Sequence, residues 1–257
     1  MGPSTVLITG AASGIGEATA RRLAVDGTAQ LVLVDRDADR LDAVTRSLEG
    51  VRVFASALDV SDADAWPALE AGVEERFGGL DGVVVNAGIA HGAPITEIAF
   101  DDWRRVMAVN LDGAFLTLQS GLRLIRKRGG GGAAVIVASA AGLKAEPGIA
   151  AYAASKAAVI QLAKVAAKEG AGERIRVNAI APGGVETDIW RGAPFFRDLA
   201  AQAGSERAAF DQMAAMATPL ARFAQADEIA GQIAFLLSDA AAYITGAVLV
   251  SDGGYTL

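Results

Sequence analysis

The sequence contains no cysteine and a single histidine, His91. The first absence excludes disulfides, thiolate nucleophiles and Cys-ligated metals. The second excludes a histidine-cluster metal site, and no metal is expected. A Ser-His-Asp hydrolase would have to use His91 as its base, and no G-x-S-x-G elbow precedes a helix. Basic charge is also scarce: 23 Lys and Arg stand against 30 Asp and Glu, a net charge of −7. Such a chain is not expected to bind nucleic acid or anionic membrane. No run of about 18 apolar residues is free of glycine or charge, so no spanning helix is expected. The first residues enter an apolar run without a basic region and cleavage site, which does not read as a signal peptide. A cytoplasmic protein is the expectation.

What is present is apolar. Hydrophobic residues make up 52% of 257, enough for a large core. Val6-Leu7-Ile8 reads as a strand buried on both faces, the habit of parallel sheets. Gly10-Ala11-Ala12-Ser13-Gly14-Ile15-Gly16 follows, then a helical pattern from Glu17 to Val25. Strand, glycine-rich turn and helix in that order suit a dinucleotide site. The glycines admit the pyrophosphate to the backbone, and the helix N-terminus offers free N–H groups. The spacing is G-x3-G-x-G rather than G-x-G-x-x-G.

The second strand, Gln30–Asp35, ends in an acid 19 residues after Gly16. A carboxylate there accepts from ribose hydroxyls and repels a 2′-phosphate, which favours NAD over NADP. Arg36 beside it is able to bind a phosphate or stack on adenine. The plainer role for Asp35 is a helix N-cap, since a helix follows near Ala38–Leu48. Val51–Ala57 is a third strand. Asp59, next to Val60, is placed to bond adenine, or Ser61 and Asp62 simply cap the next helix, Ala63–Phe77. A fourth strand, Leu80–Val85, runs into Asn86-Ala87-Gly88, a small-residue turn that lets a ligand ring pass.

Helices are expected at Phe100–Val109 and Ala114–Lys127, with Asn110 between them needing a partner for its side chain. Ala133–Ala138 is a fifth strand ending in Ser139. Helix Tyr152–Gly170, strand Arg174–Ile180, helix Asp227–Ser238 and strand Ala247–Val250 complete the alternation. That is a doubly wound parallel sheet in one domain. The rhythm breaks at Pro182–Thr218, which carries Trp190, Phe195, Phe196, Phe210, Met213 and Met216. It reads as an apolar lid over substrate, or as helices whose aromatics pack on the body. Tyr152 and Lys156 stand one helical turn apart, so a cation faces a phenol and favours its ionised form.

Taken together, Thr9-Gly10-x3-Gly14-Ile15-Gly16, Asn86-Ala87-Gly88, Asn110, Ser139, Tyr152-x3-Lys156 and Pro182-Gly183-x3-Thr187 resemble the short-chain dehydrogenase/reductase family. The resemblance runs from Thr5 onward. It implies a Rossmann-type fold with a seven-stranded parallel sheet in the order 3-2-1-4-5-6-7, and a homotetramer built on helices Ala114–Lys127 and Tyr152–Gly170. Phe115, Leu118, Leu122 and Ile125 exceed what one sheet-facing stripe needs, which fits that interface.

By the same resemblance, Tyr152 is the catalytic acid/base. Lys156 holds the nicotinamide ribose and lowers the tyrosine pKa. Ser139 fixes the substrate oxygen, and Asn110 holds a water in a proton relay. The NAD contacts are Gly10, Ser13, Gly14, Ile15, Gly16, Asp35, Arg36, Asp59, Val60, Asn86, Ala87, Gly88, Tyr152 and Lys156. Pro182, Gly183, Val185 and Thr187 join them at the nicotinamide end. His91, Ala141, Glu146, Gly184 and Trp190 are candidate substrate contacts. The expected reaction is hydride transfer between NAD(H) and a secondary alcohol or ketone, apolar or cyclic. A 3-oxoacyl-thioester reductase of fatty acid synthesis is the alternative, disfavoured by Asp35. A non-catalytic NAD sensor is disfavoured because Tyr152 and Lys156 are both present.

Overall fold

The structure, a computed structural model, describes residues 2, 4–191 and 194–257. Residues 192 and 193 of the expected insertion lie outside them. Seven parallel strands form one sheet in the order β3-β2-β1-β4-β5-β6-β7. They are β1 (Thr5–Thr9), β2 (Gln30–Asp35), β3 (Arg52–Ala57), β4 (Gly82–Val85), β5 (Gly132–Val137), β6 (Ile175–Pro182) and β7 (Val248–Ser251). This is the order the sequence resemblance implies.

Alternation along the central strands divides the core into two layers, because successive side chains point to opposite faces. Leu7, Val32 and Val34 face one side. There they meet α3 (Trp66–Phe77), α5 (Gly113–Arg128) and α6 (Ala150–Gly170) through residues such as Trp66, Leu118 and Val159. Val6, Ile8, Leu31 and Leu33 face the other side. They meet α1 (Gly14–Val25), α2 (Ala38–Arg46) and α10 (Ala226–Leu237) through Leu23, Leu41 and Ile233. Both faces are covered, which explains why the strands read as continuous apolar runs.

The expected break at Asn110 is a π-turn, residues 108–112, joining α4 (Phe100–Met107) to α5 in one bent helical stretch. The expected insertion folds as α7 (Asp188–Arg191), α8 (Pro194–Ala203) and α9 (Glu206–Ala217). These helices carry a small core of their own: Phe196, Ala209, Phe210 and Ala214 packed with Phe223. Of the four apolar residues expected to spill over from α5, three are core. Leu118, Leu122 and Ile125 are buried, and Phe115 alone is exposed, at 46%. No helix among the described residues is long and apolar enough to cross a membrane.

One half-buried cation ties α10 to the sheet. Arg176 of β6 donates to the carbonyls of Leu236 (2.7 Å), Leu237 (3.1 Å) and Ser238 (3.1 Å) at the end of α10. It thereby satisfies carbonyls that a helix terminus leaves free, at the end that favours positive charge. Replacing Arg176 by Met strands those carbonyls and is expected to cost about 3 kcal/mol of stability in urea unfolding, with Lys recovering less than half. A loss below about 1 kcal/mol would show that the guanidinium is not what holds α10.

Candidate active site

The carboxyl edge of the sheet is organised by an interlock between the ends of β1 and β4. The Thr9 hydroxyl accepts from the amides of Asn86 (3.1 Å) and Ala87 (3.3 Å). In return Asn86 Nδ2 donates to the carbonyls of Thr9 (2.9 Å) and Gly10 (3.1 Å). This leaves no room beside the glycine turn. A Cβ on Gly16 would sit 2.0 Å from the Gly10 carbonyl oxygen, and Gly10 itself has φ +65°. The glycines are therefore required by packing as well as by any ligand.

The turn is also suited to a phosphate. Ser13 occupies the N-cap of α1 without a side-chain cap bond, so its hydroxyl is not committed to the helix. Amides in the first turn of a helix have no intrahelical acceptors and attract anions. Ile15 is half-buried and packs on the α1–α10 layer. Thr187 stands over the turn, its Cγ2 3.3 Å from where a Gly14 Cβ would be. Arg40 of α2 pairs with Asp188 of α7 at 3.1 Å, so the insertion is tied across to the α2 side. These residues fit a dinucleotide.

Asp35 ends β2 but is not the N-cap of α2. Asp37 fills that position and accepts from the Arg40 amide at 3.1 Å. Asp35 instead accepts from the amides of Ala12 (3.0 Å) and Asp37 (3.0 Å), fixing its carboxylate against the glycine turn. Arg36 beside it is exposed. Asp59 accepts from the Ser61 hydroxyl (2.7 Å) and amide (2.9 Å). These bonds, with the nearby Arg36 charge, hold its carboxyl below the usual range although partial burial opposes them. Asp62 caps the following 3-10 turn. Val60 is core, and only its backbone is left to face a ligand.

The chemical centre lies where β5 ends and α6 begins. Ser139 follows β5 and caps a 3-10 turn, accepting from the Ala141 amide at 3.2 Å. The Ser139 hydroxyl is close enough to the Tyr152 phenol to favour its ionised form. Lys156, one turn further along α6, is 5% exposed. Its Nζ donates to the Val137 carbonyl at 2.9 Å and lies 5.7 Å from the centre of the Tyr152 ring. Burial pushes the ammonium down from 10.5 to about 8. Burial also pushes the Tyr152 phenol up, partly offset by Ser139. The expected lowering of the phenol is therefore not its net direction here, because desolvation of an anion outweighs the hydroxyl's help.

Asn110 finds the partners its position demands. Its Oδ1 accepts from the Ile89 amide (2.8 Å), and its Nδ2 donates to the Ile89 carbonyl (2.9 Å) and the Ser155 hydroxyl (3.1 Å). The π-turn thus clamps the loop after β4 to α6. Asn110 Oδ1 and Lys156 Nζ both lie 3.4 Å from the position of a Gly88 Cβ, so all three meet at one point.

The substrate candidates divide. Gly184 lies under the Phe223 ring, where a Cβ would come within 2.3 Å. Trp190 stacks on Phe223 at 5.6 Å, meets Phe195 edge-on at 6.2 Å, and donates its indole N–H to the Val185 carbonyl at 2.9 Å. Both are committed to the insertion's own core, and Val185 is buried beside them. Pro182 ends β6, and Gly183 continues it by donating to Ser251 O at 3.0 Å. His91 sits 3.7 Å from Asp102 of α4. Ala141 is half-buried beside Ser139, and Glu146 is exposed in the same loop. That loop is joined to the one after β4 by Ala93 N–H to Gly148 O, 2.8 Å. Between them is a cleft of about 590 Å³ lined by Pro94, Ile95, Thr96, Glu146, Pro147, Gly148 and Ala150.

Sequence reasoning gave Thr9 no role of its own and missed the Arg40–Asp188 pair and Tyr255, whose hydroxyl donates to Glu146 at 2.7 Å. Thr9 was visible as the residue before the glycine turn. The other two depend on contacts more than 100 residues apart, which no local pattern signals.

A family model described as enoyl-(acyl carrier protein) reductase matches residues 10–256. The chain is 41% identical over 253 residues to the cis-4-hydroxycyclohexanecarboxylate dehydrogenase of Sinomonas cyclohexanicum, covering 97% of this chain and 95% of that one. It is 38% identical to a 3-oxoacyl-(acyl-carrier-protein) reductase of Thermotoga maritima, covering 98% and 97%. The structure resembles L-sorbose reductase from Gluconobacter frateurii, solved with NADPH and L-sorbose. The TM-score is 0.93 at 33% identity, covering 100% and 97% of the two chains. Fold, site and relatives together define a nicotinamide-dependent oxidoreductase. The chain belongs to the short-chain dehydrogenase/reductase family.

Lys156 sets a pH dependence of stability. Its pKa is 10.5 unfolded and about 8 folded, so between these values the unfolded chain holds more protons. Stability therefore rises with pH across that window. Chemical denaturation of the wild type and Lys156→Met from pH 7 to 10.5 should show the wild type gaining up to about 3 kcal/mol relative to the variant. Parallel curves would mean that Lys156 is not held in a desolvating site.

Proposed function

We propose that the protein is an NAD-dependent dehydrogenase/ketoreductase acting on a secondary alcohol or its ketone. The observation that carries this reading is the buried Lys156 ammonium 5.7 Å from the Tyr152 ring centre, with Ser139 at the end of β5, at the same sheet edge as the glycine turn. Bound NAD⁺ would supply the hydride acceptor. This chain's residues do the rest. Gly10, Ser13, Gly14, Ile15 and Gly16 bind the pyrophosphate, and Asp35 and Arg36 the adenosine ribose. Asp59 and Val60 flank adenine. Asn86, Ala87, Gly88, Pro182, Gly183, Val185 and Thr187 line the path to the nicotinamide.

Ser139 fixes the substrate oxygen. Tyr152 takes the hydroxyl proton in oxidation and returns it in reduction. Lys156 stabilises the phenolate and holds the ribose, and Asn110 supports a proton path from Lys156 to solvent. Burial holds the phenol's pKa up with only Ser139 offsetting it, so the reaction depends on Lys156 to favour the phenolate as charge develops.

NAD rather than NADP is supported by the Asp35 carboxylate, fixed at the ribose end by two backbone amides. An apolar or cyclic substrate is supported by the cyclohexane-ring substrate named for the Sinomonas relative and by Pro94, Ile95, Pro147 and Ala150 in the cleft. The aromatics of residues 183–218 give it less support than expected, since Trp190, Phe196 and Phe210 are spent on internal packing. A 3-oxoacyl-thioester reductase remains the second reading, favoured by the Thermotoga relative.

We further propose one dinucleotide-binding domain with the insertion at 183–218, assembled as a homotetramer through α5 and α6. The half-exposed Phe115 and Val165 support that interface. The intracellular pool of its cofactor supports a cytoplasmic site of action.

A panel of cyclic and aryl secondary alcohols assayed with NAD⁺ and NADP⁺ tests the reading. At least about tenfold preference for NAD⁺ is expected, and Asp35→Ser should narrow it, since a like charge on the 2′-phosphate costs several kcal/mol. A preference for NADP⁺, or turnover confined to 3-oxoacyl thioesters, would overturn it.

A further inference from the structure

The segment after β7 is not a loose end. Gly183 continues β6 directly against Asp252, whose Cα lies 2.8 Å from where a Gly183 Cβ would be. Asp252 then folds the next residues back, accepting from the amides of Gly254 and Thr256 (both 2.9 Å) and the Thr256 hydroxyl (2.6 Å). The carbonyl of Gly253 accepts from the Leu220 amide at 3.1 Å, fastening the segment to the chain just past the insertion. This brings Tyr255 to the loop between Ser139 and Tyr152, which it grips at two points. Its hydroxyl donates to Glu146 Oε1 at 2.7 Å. Its carbonyl accepts from Lys144 Nζ at 2.8 Å, and that ammonium lies 4.3 Å from the Tyr255 ring centre. Burial and the Glu146 carboxylate push the Tyr255 phenol up, so it remains a donor at any working pH.

Glu146 is therefore two things. It is the acceptor for Tyr255, and it is the one carboxylate in the wall of the cleft otherwise formed by Pro94, Ile95, Thr96, Pro147, Gly148 and Ala150. Ala150 opens α6 two residues before Tyr152. A carboxylate has about four acceptor sites, and the phenol uses one. The remaining capacity is presented in a mostly apolar wall, next to the helix that carries the acid/base.

We propose that Tyr255 is a positioning residue that fixes Glu146 as the acceptor for a second hydroxyl of the substrate, remote from the reacting carbinol. The substrate class that follows is a diol, or a hydroxyketone in the reverse direction, on an apolar or cyclic frame. This rests on the dehydrogenase reading above. It extends that reading from the reacting carbinol to the group at the other end of the molecule.

The test uses NAD⁺ with cyclohexane-1,4-diol and cyclohexanol, which differ only in the distal hydroxyl. Wild type should show a KM for the diol about fivefold below that for cyclohexanol, the scale of one hydrogen bond. Tyr255→Phe keeps the ring and should raise the diol KM about fivefold, leaving kcat, the cyclohexanol KM and NADH affinity within about twofold. Glu146→Ala should match it, and the double variant should be no worse than either single, since one removes the acceptor and the other the donor that positions it. Glu146→Gln keeps an oxygen for the phenol and should restore part of the selectivity.

Equal effects of Tyr255→Phe on both alcohols, or a fall in kcat, would reduce Tyr255 to a general stabiliser and overturn the proposal. Amide hydrogen exchange separates the two levels of failure. If wild type oxidises no alcohol, the dehydrogenase reading fails. In that case, faster exchange in residues 143–149 of Tyr255→Phe still upholds the positioning, and unchanged exchange refutes it.

Discussion

The site depends on an ammonium taken out of water. Lys156 is almost fully buried, and burial alone lowers its pKa to about 8. Moving such an ion inward costs several kcal/mol unless polar groups replace its hydration. The Val137 carbonyl is one of them, because β5 ends with that oxygen turned toward α6. The cost of burial is a cation that needs no reorganisation when charge develops on the neighbouring phenol. An exposed lysine one turn from Tyr152 would have been screened and mobile.

Holding that ion requires the surrounding backbone to be fixed, and the fold does so from three directions. Asn110 binds the loop after β4 through both polar groups of Ile89, and it reaches α6 through Ser155. The π-turn places the asparagine where a regular helix would have carried it past the loop. Thr9 and Asn86 lock the glycine turn to β4. The loop between Ser139 and Tyr152 is held by Ala93 on one side and Tyr255 on the other. Cofactor turn, proton-transfer pair and substrate wall are thus three loops of one sheet edge, braced against each other rather than each folded alone.

How much of this was legible in the sequence follows from the range of the interactions. The strands and the central helices were readable, because burial on both faces leaves unbroken apolar runs and the glycine turn punctuates them. Ser139 and Asn110 were found at the end of a strand and at a turn between helices, and Tyr152 and Lys156 by their one-turn spacing on α6, all in the order the family resemblance sets. The misreadings concern partner choice. For Asp35, read first as a ribose acceptor, only the alternative cap role fails: Asp37 stands in that position and leaves Asp35 to the glycine turn. Trp190, Phe196 and Phe210 looked like a lid because their segment breaks the strand–helix rhythm. They are largely consumed by Phe223, which lies beyond the segment and gave no local sign. Leu118, Leu122 and Ile125 looked surplus on α5 because the width of the sheet face it covers is a tertiary quantity. Tyr255 was silent for the same reason: its partner is 109 residues away.

The central claim is that the Tyr152 phenol is the proton acceptor and donor of an alcohol–ketone interconversion, made competent by buried Lys156. The most direct measurement compares wild type with Tyr152→Phe, which removes one oxygen and keeps the ring. The variant should bind NADH with an affinity within about twofold of wild type, while kcat/KM for the alcohol falls at least about a thousandfold. A variant that binds NADH normally and still turns over at a tenth of the wild-type rate or faster would contradict the account.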